Sequence, residues 1–221
     1  VTERVKPRRY NSPRRQQQAA ATRREILDAA RRLFERQGYA PTTMAAIAAE
    51  AGVALRTVYV AFETKSGVLR ALWHLTLRGD EDETPMGGRP WFREVLDEPD
   101  PARQMRLVAR NGRLVKLRIA GLMEVIHGAA PVDPDIDVLW RRIRTDFHAL
   151  LRTIAEGLDA RGALRAGLGV ERAADVLWAL NDPALWQALV RERAWTPDEY
   201  EDWLAGALCA ELLSGGPAPG A

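Results

Sequence analysis

The chain has 221 residues, 47% of them apolar and 28% charged, which excludes a disordered or fibrous protein and allows one or two domains with a real core. Its one cysteine, Cys209, excludes an intrachain disulfide framework and suits a reducing, cytoplasmic setting, and no run of about 18 apolar residues marks a membrane span. The net charge of +2 hides a split: residues 1–75 carry 14 Lys and Arg against 6 Asp and Glu, or +8, the remainder carries −6, and a polyanion partner is expected for the first third alone.

Residues 1–21 hold Lys6, Arg8, Arg9, Arg14 and Arg15 with Pro7 and Pro13, and lack the apolar stretch of a secretory signal. They are expected to form a flexible basic arm. From Thr22 a helical period begins, with Ile26, Leu27, Ala30, Leu33 and Phe34 on one face and arginines mostly opposite. Gly38 is a suitable stop. Thr42 or Thr43 can cap a second helix that turns Met44, Ile47 and Ala48 inward and ends at Gly52. A third, short helix covers Leu55–Phe62. Thr64 caps a fourth that runs to about Arg78, with Val68, Leu69 and Leu72 at helical spacing.

The acidic, Gly- and Pro-rich segment 79–90 reads as a linker or mobile loop. Beyond it the pattern predicts helices near 92–97, 101–119, 121–129, 134–160, 171–181, 183–193 and 197–213. Pro101, Pro134, Pro183 and Pro197 sit where helices can begin, each preceded by a capping Asp100, Asp133, Asp182 or Thr196. No segment alternates with period two, and residues 214–221 read as a disordered tail. The fold class expected is all-α.

Residues 42–62 read as helix, tight glycine turn, helix, which is a helix-turn-helix arrangement. A helix at Leu55–Phe62 buries Val58 and Phe62 and turns Leu55, Arg56, Tyr59 and Val60 outward. That mixture is awkward against water and reasonable against a DNA groove. Arg56 can donate two hydrogen bonds to guanine, and Leu55, Thr57 and Val60 can offer methyl groups to thymine. Tyr59 can reach a phosphate. Thr42 and Thr43 open the preceding helix, and Lys65 lies in the first turn of the following one, where each can hold a further phosphate. The alternatives are that Thr42, Thr43 and Thr64 are simple caps, Tyr59 a half-buried core residue, Leu55 and Val60 ordinary exposed residues, and Arg56 a phosphate contact.

Residues 23–72 resemble the DNA-binding domain of the tetracycline-repressor-like (TetR) transcription regulators. The likeness is carried by Ile47-Ala48, Ala51-Gly52-Val53, Thr57-Val58-Tyr59, Phe62, Thr64-Lys65 and Leu69. Residues 174–200 are similar to the C-terminal domain of one branch of that family. Ala54 departs from the usual serine or threonine, so the recognition helix lacks a side-chain cap worth about 1 kcal/mol. Ala61 stands where an aromatic residue is common.

The resemblance implies a helix-turn-helix unit with connecting helix over 22–78 and an effector-binding and dimerisation bundle over 91–213. It implies a homodimer on a double-stranded, roughly palindromic operator, usually as a repressor, released by a small apolar or amphipathic effector and using neither cofactor nor metal. The helices near 171–193 and 197–213 are expected to pair with their symmetry mates, and the fourth helix to act as the lever. By the same resemblance the effector candidates are Met123, His127, Trp140, Arg144, Phe147, Trp178 and Asn181.

Two rival readings stand beside it. Glu124 and His127 form one Glu-x-x-His step, as in di-metal helical enzymes, which use two such steps and two further glutamates. A helical protein–protein module is the other. Neither a Gly-rich phosphate loop nor a serine elbow is present.

Overall fold

The computed structural model describes residues 13–79 and 84–214, with side chains from residue 15. Its elements are α-helices α1 (Pro13–Gln37), α2 (Met44–Glu50), α3 (Leu55–Phe62), α4 (Lys65–Arg78), α5 (Pro90–Asp97), α6 (Pro101–Ala129), α7 (Pro134–Ala160), α8 (Val170–Leu180), α9 (Pro183–Trp186) and α10 (Pro197–Leu212). A π-helical turn over Gln187–Glu192 extends α9. Among the described residues the only β feature is a single antiparallel bridge between Leu164 and Leu213. The expected all-α class is what the chain adopts.

The chain divides into two compact units between Leu72 and Trp73, inside α4. In the first unit α1 begins at Pro13 rather than at Thr22. Proline fits a first helical position, and the glutamines and alanines at 16–21 are strong helix formers, so residues 13–21 of the expected arm are helix. The remainder of the arm, 1–12, lies outside the described residues. The apolar stripe Ile26, Leu27, Ala30, Leu33 and Phe34 is buried, as are Met44, Ile47, Ala48, Val58 and Phe62. At roughly 1.5–3 kcal/mol per large side chain, this burial holds α2 and α3, only 7 and 8 residues long and unable to persist alone, together with the longer α1.

In the second unit the helix starts follow the sequence closely. Asp100, Asp133 and Asp182 each accept backbone N–H groups ahead of a proline, and Thr196 and Glu199 form a reciprocal capping box. α10 turns Tyr200, Leu204, Leu208 and Leu212 inward and packs chiefly on α6, while α7 packs chiefly on α8. The predicted break near Gly121 is absent and α6 runs unbroken. Gly121 costs the helix about 1 kcal/mol, less than the burial of Ile119, Leu122 and Met123 on either side of it returns. Part of the expected linker is also ordered: Arg89 is buried and its Nε donates to the Thr84 carbonyl. Residues 80–83 and 215–221, where the rest of the linker and most of the tail fall, lie outside the described residues.

Candidate nucleic-acid interface and effector site

The α2 and α3 axes meet at 113°, joined through Gly52 at φ +67°, a left-handed conformation that costs glycine nothing. This bend holds α3 off the small core by one face only. Val58 and Phe62 are buried, while Leu55 is 41%, Tyr59 49% and Val60 77% exposed, and Arg56 is exposed beside them. Thr57 is half-buried. No side chain caps α3 at Ala54. The protruding face expected from the sequence is therefore formed, and its members lie together.

Three supports fix that face. Arg23 of α1 covers the Phe62 ring and donates to the Ala61 carbonyl. Arg32 pairs with Glu50 at 2.9 Å, tying α1 to α2. The exit from α3 is a γ-turn: Thr64 N–H donates to the Phe62 carbonyl at 2.7 Å across Glu63, whose φ is +63° and ψ −51°. Gly67 lies so close beneath this turn that a Cβ there would meet the Phe62 oxygen at 2.2 Å. A side chain at 67 would force the end of α3 to move.

The flanking candidates divide. Thr43 is exposed and is the N-cap of α2, its Oγ1 accepting from Ala46 N–H. Thr42 is wholly buried; its hydroxyl donates to the Gly38 carbonyl and accepts from Gln37 Nε2, so it braces the α1–α2 turn and does not face a groove. Lys65 also differs from expectation. Its ammonium donates to the Tyr39 and Ala40 carbonyls at 2.8 and 3.3 Å and sits 4.0 Å from the centre of the Tyr39 ring. It pins the α1–α2 turn to α4.

In the second unit a run of aromatic and cationic groups crosses α6, α7 and α8. The His127 ring lies 5.1 Å from Trp140, and the Arg144 guanidinium lies 5.3 Å from Trp140 and 4.2 Å from Trp178. Trp140, Arg144, Phe147 and Trp178 are half-buried and His127 is exposed. Met123 is buried in α6. Asn181 is buried too; its amide donates to the Leu177 carbonyl and accepts from Lys116, so it links α8 to α6.

Lys116 and Tyr200 are not among the sequence candidates, and Asp182 is read there only as a cap. Lys116 is 3% exposed, with Asn181 Oδ1 at 3.4 Å and the Tyr200 ring at 5.4 Å. Burial holds its ammonium down at about 7, against a smaller opposing pull from Asp182. The Tyr200 hydroxyl is buried without a hydrogen-bond partner, and burial pushes its phenol well above the ordinary range. Gly112 makes room for this group, since a Cβ there would meet Asn181 Oδ1 at 2.8 Å. A signal existed: Met105, Ala109, Gly112, Lys116, Ile119, Met123 and Ile126 recur at spacings of three and four, which puts a lysine on a core stripe.

Glu124 is exposed, and His127 is engaged with Trp140. Among the described residues no group of three or more His, Cys, Asp or Glu is placed to hold a metal ion. Among them, too, no single helix is long and apolar enough to cross a membrane.

Known proteins match this arrangement. The family described as "Bacterial regulatory proteins, tetR family" matches residues 26–72, the core of the first unit. The HTH-type transcriptional regulator TtgR of Pseudomonas putida is 28% identical over 194 residues, spanning 85% of this chain and 87% of TtgR. The crystal structure of NalD, the secondary repressor of the MexAB-OprM multidrug efflux pump in Pseudomonas aeruginosa, superposes with a TM-score of 0.68 at 20% identity, over 90% of this chain and 99% of NalD. The complex of SmeT with triclosan superposes with a TM-score of 0.69 at 23% identity, over 91% and 96% of the two chains. Residues 26–72 thus match the DNA-binding domain of the tetR family of bacterial regulatory proteins, and the chain along most of its length is similar to transcriptional regulators of that kind.

Proposed function

We propose that the protein is a homodimeric repressor that binds a roughly palindromic duplex-DNA operator and leaves it when a small apolar or amphipathic molecule binds the second unit. The observation that carries this reading is the outer face of α3, where Leu55, Arg56, Tyr59 and Val60 stand exposed on a short helix braced from behind. Arg56 reads guanine, Leu55, Thr57 and Val60 meet thymine methyl groups, and Tyr59 and Thr43 hold phosphates. Thr42 and Lys65 support that face from within the unit. The basic balance of residues 1–75 favours the approach to DNA.

Twofold pairing requires a self-complementary surface. α10 supports this, because outside its inward stripe Trp203 and Ala207 stay half-buried, as do Leu189 and Val190 of the π-helical turn that packs on it. Two recognition helices then meet successive major grooves about 34–36 Å apart. Repression and relief by a small molecule are supported by neighbours of this fold that repress efflux pumps, one of them with triclosan bound. An effector that prefers the conformer with wider half-site spacing depletes the DNA-competent one, by an amount equal to its differential affinity for the two. α4, whose chain runs on from the first unit into the second, is the covalent link through which that preference acts.

Selection of bound fragments from random duplex DNA tests the proposal. Recovered sequences are expected to share an inverted repeat with half-site centres about one helical turn apart. Recovery of unrelated sequences, or of none, would refute it.

A further inference from the structure

Trp140 and Arg144 are four residues apart on α7 and share a helix face, while Trp178 lies in α8 and Asp182, two residues past its end, is the N-cap of α9. These groups gather around one positive charge. The Arg144 guanidinium carbon lies 4.2 Å from the Trp178 ring centre and 5.3 Å from that of Trp140, with Nη1 3.8 Å from Asp182 Oδ2. We infer that Trp140, Trp178 and Asp182 form a binding cage for an organic cation, occupied by Arg144 as a built-in stand-in, and that the effector class is an aromatic or amphipathic ammonium that displaces it. This inference rests on the proposed effector-responsive function and names the chemistry of its ligand.

The mounting of each group decides between a cation and an anion as the preferred guest. The two indoles are half-buried on packed helices. Asp182 is fixed by its other oxygen, which accepts from Ala184 N–H at 2.8 Å as the cap of α9. All three fixed groups attract positive charge: the indole faces through their quadrupoles, the carboxylate directly. Arg144 is the movable member, its side chain 39% exposed on a long flexible stem. A quaternary ammonium can take its place against the same three walls, while Arg144 regains water. An anion would have to part the Arg144–Asp182 pair and then lie beside the fixed carboxylate.

Three probes separate these cases in calorimetric titrations of the full chain: benzyltrimethylammonium, its uncharged carbon isostere neopentylbenzene, and the anion 4-tert-butylbenzoate. The cation should bind about tenfold or more tighter than the isostere. Arg144→Ala, a change at a partly exposed site that leaves the walls intact, should tighten the cation by about three- to tenfold, because no internal competitor remains. Trp178→Leu should weaken it about tenfold or more, and Asp182→Asn, which keeps a capping side chain, by several-fold. Thermal melts of each variant identify any that fails to fold, and the Arg144→Ala result stands independently of them. Preference for the anion, weaker cation binding by Arg144→Ala, or indifference of a folded Trp178→Leu protein to the cation would overturn the inference. Operator binding followed in the same preparations keeps the two claims apart. Operator binding without cation preference overturns the cage alone, whereas a cation-binding chain that ignores DNA overturns the regulator reading alone.

Discussion

The Arg23 guanidinium lies 4.1 Å from the centre of the Phe62 ring and donates a 2.7 Å hydrogen bond to the Ala61 carbonyl. Arg23 is on α1, and its two partners form the last turn of α3. A cation at a helix C-terminus is favourable, and this one also fixes the roll of the helix about its axis. Arg23→Ala should therefore lower operator affinity by roughly three- to tenfold for every sequence, with base preference unchanged, in fluorescence-anisotropy titrations. A change of base preference at one position would mean that Arg23 reaches DNA bases itself.

Lys65 gives a sharper contrast between two roles. Its ammonium is bound to the carbonyls of Tyr39 and Ala40. Lys65→Met should cost about 1–2 kcal/mol of stability, since charge-assisted hydrogen bonds and a cation–π contact are lost together. The slope of log affinity against log salt should stay as in the parent protein. A phosphate-binding lysine would instead reduce that slope by about 0.9 when removed.

Lys116 predicts a pH dependence of stability. In the folded protein its ammonium titrates at about 7, against 10.5 for an unburied lysine. Between those values the unfolded chain binds the extra proton, so stability rises as pH climbs through this interval. Below about 7 both states are charged, and the cost of burying that charge is fully felt. Lys116→Met should melt above the parent protein at about pH 6.5, with the gap narrowing toward pH 10. The Tyr200 phenol, pushed up by burial, stays neutral in the folded protein but ionises near 10.0 in the unfolded chain, so it lowers stability as pH approaches 10, a loss that the parent and variant share and that leaves the gap between them unchanged. A gap independent of pH would mean that Lys116 is not desolvated in solution.

The face of α3 was legible in the sequence because one helical period decides it: burying Val58 and Phe62 leaves Leu55, Arg56, Tyr59 and Val60 outside. The proline-led helix starts were legible for a local reason too, since cap and proline are neighbours in the chain. What escaped depended on distant partners. Lys65 looked free because the carbonyls it binds belong to residues 26 and 25 positions earlier, brought near by the turn after α1. Thr42 and Thr43 are chemically alike, and only the path of the chain past Gly38 sends one inward and the other to the cap of α2. Trp140, Arg144 and Trp178 could be picked as candidates by residue type. Their enclosure of one charge follows from the register of α7 against α8, which no local pattern sets. Lys116 was half legible: its place on the α6 stripe is in the sequence, its partner Asn181 is not.

The central claim is that the exposed side of α3 reads duplex DNA. The most direct test is the salt dependence and base preference of operator binding by the parent protein, Arg56→Ala and Tyr59→Ala, measured side by side. The affinity of the parent protein should fall steeply with salt. Arg56→Ala should lose about 1–3 kcal/mol with relaxed preference at one base pair, and Tyr59→Ala a weaker affinity that is uniform across sequences. Unchanged affinity and preference in both variants, or no specific duplex binding by the parent chain, would contradict it.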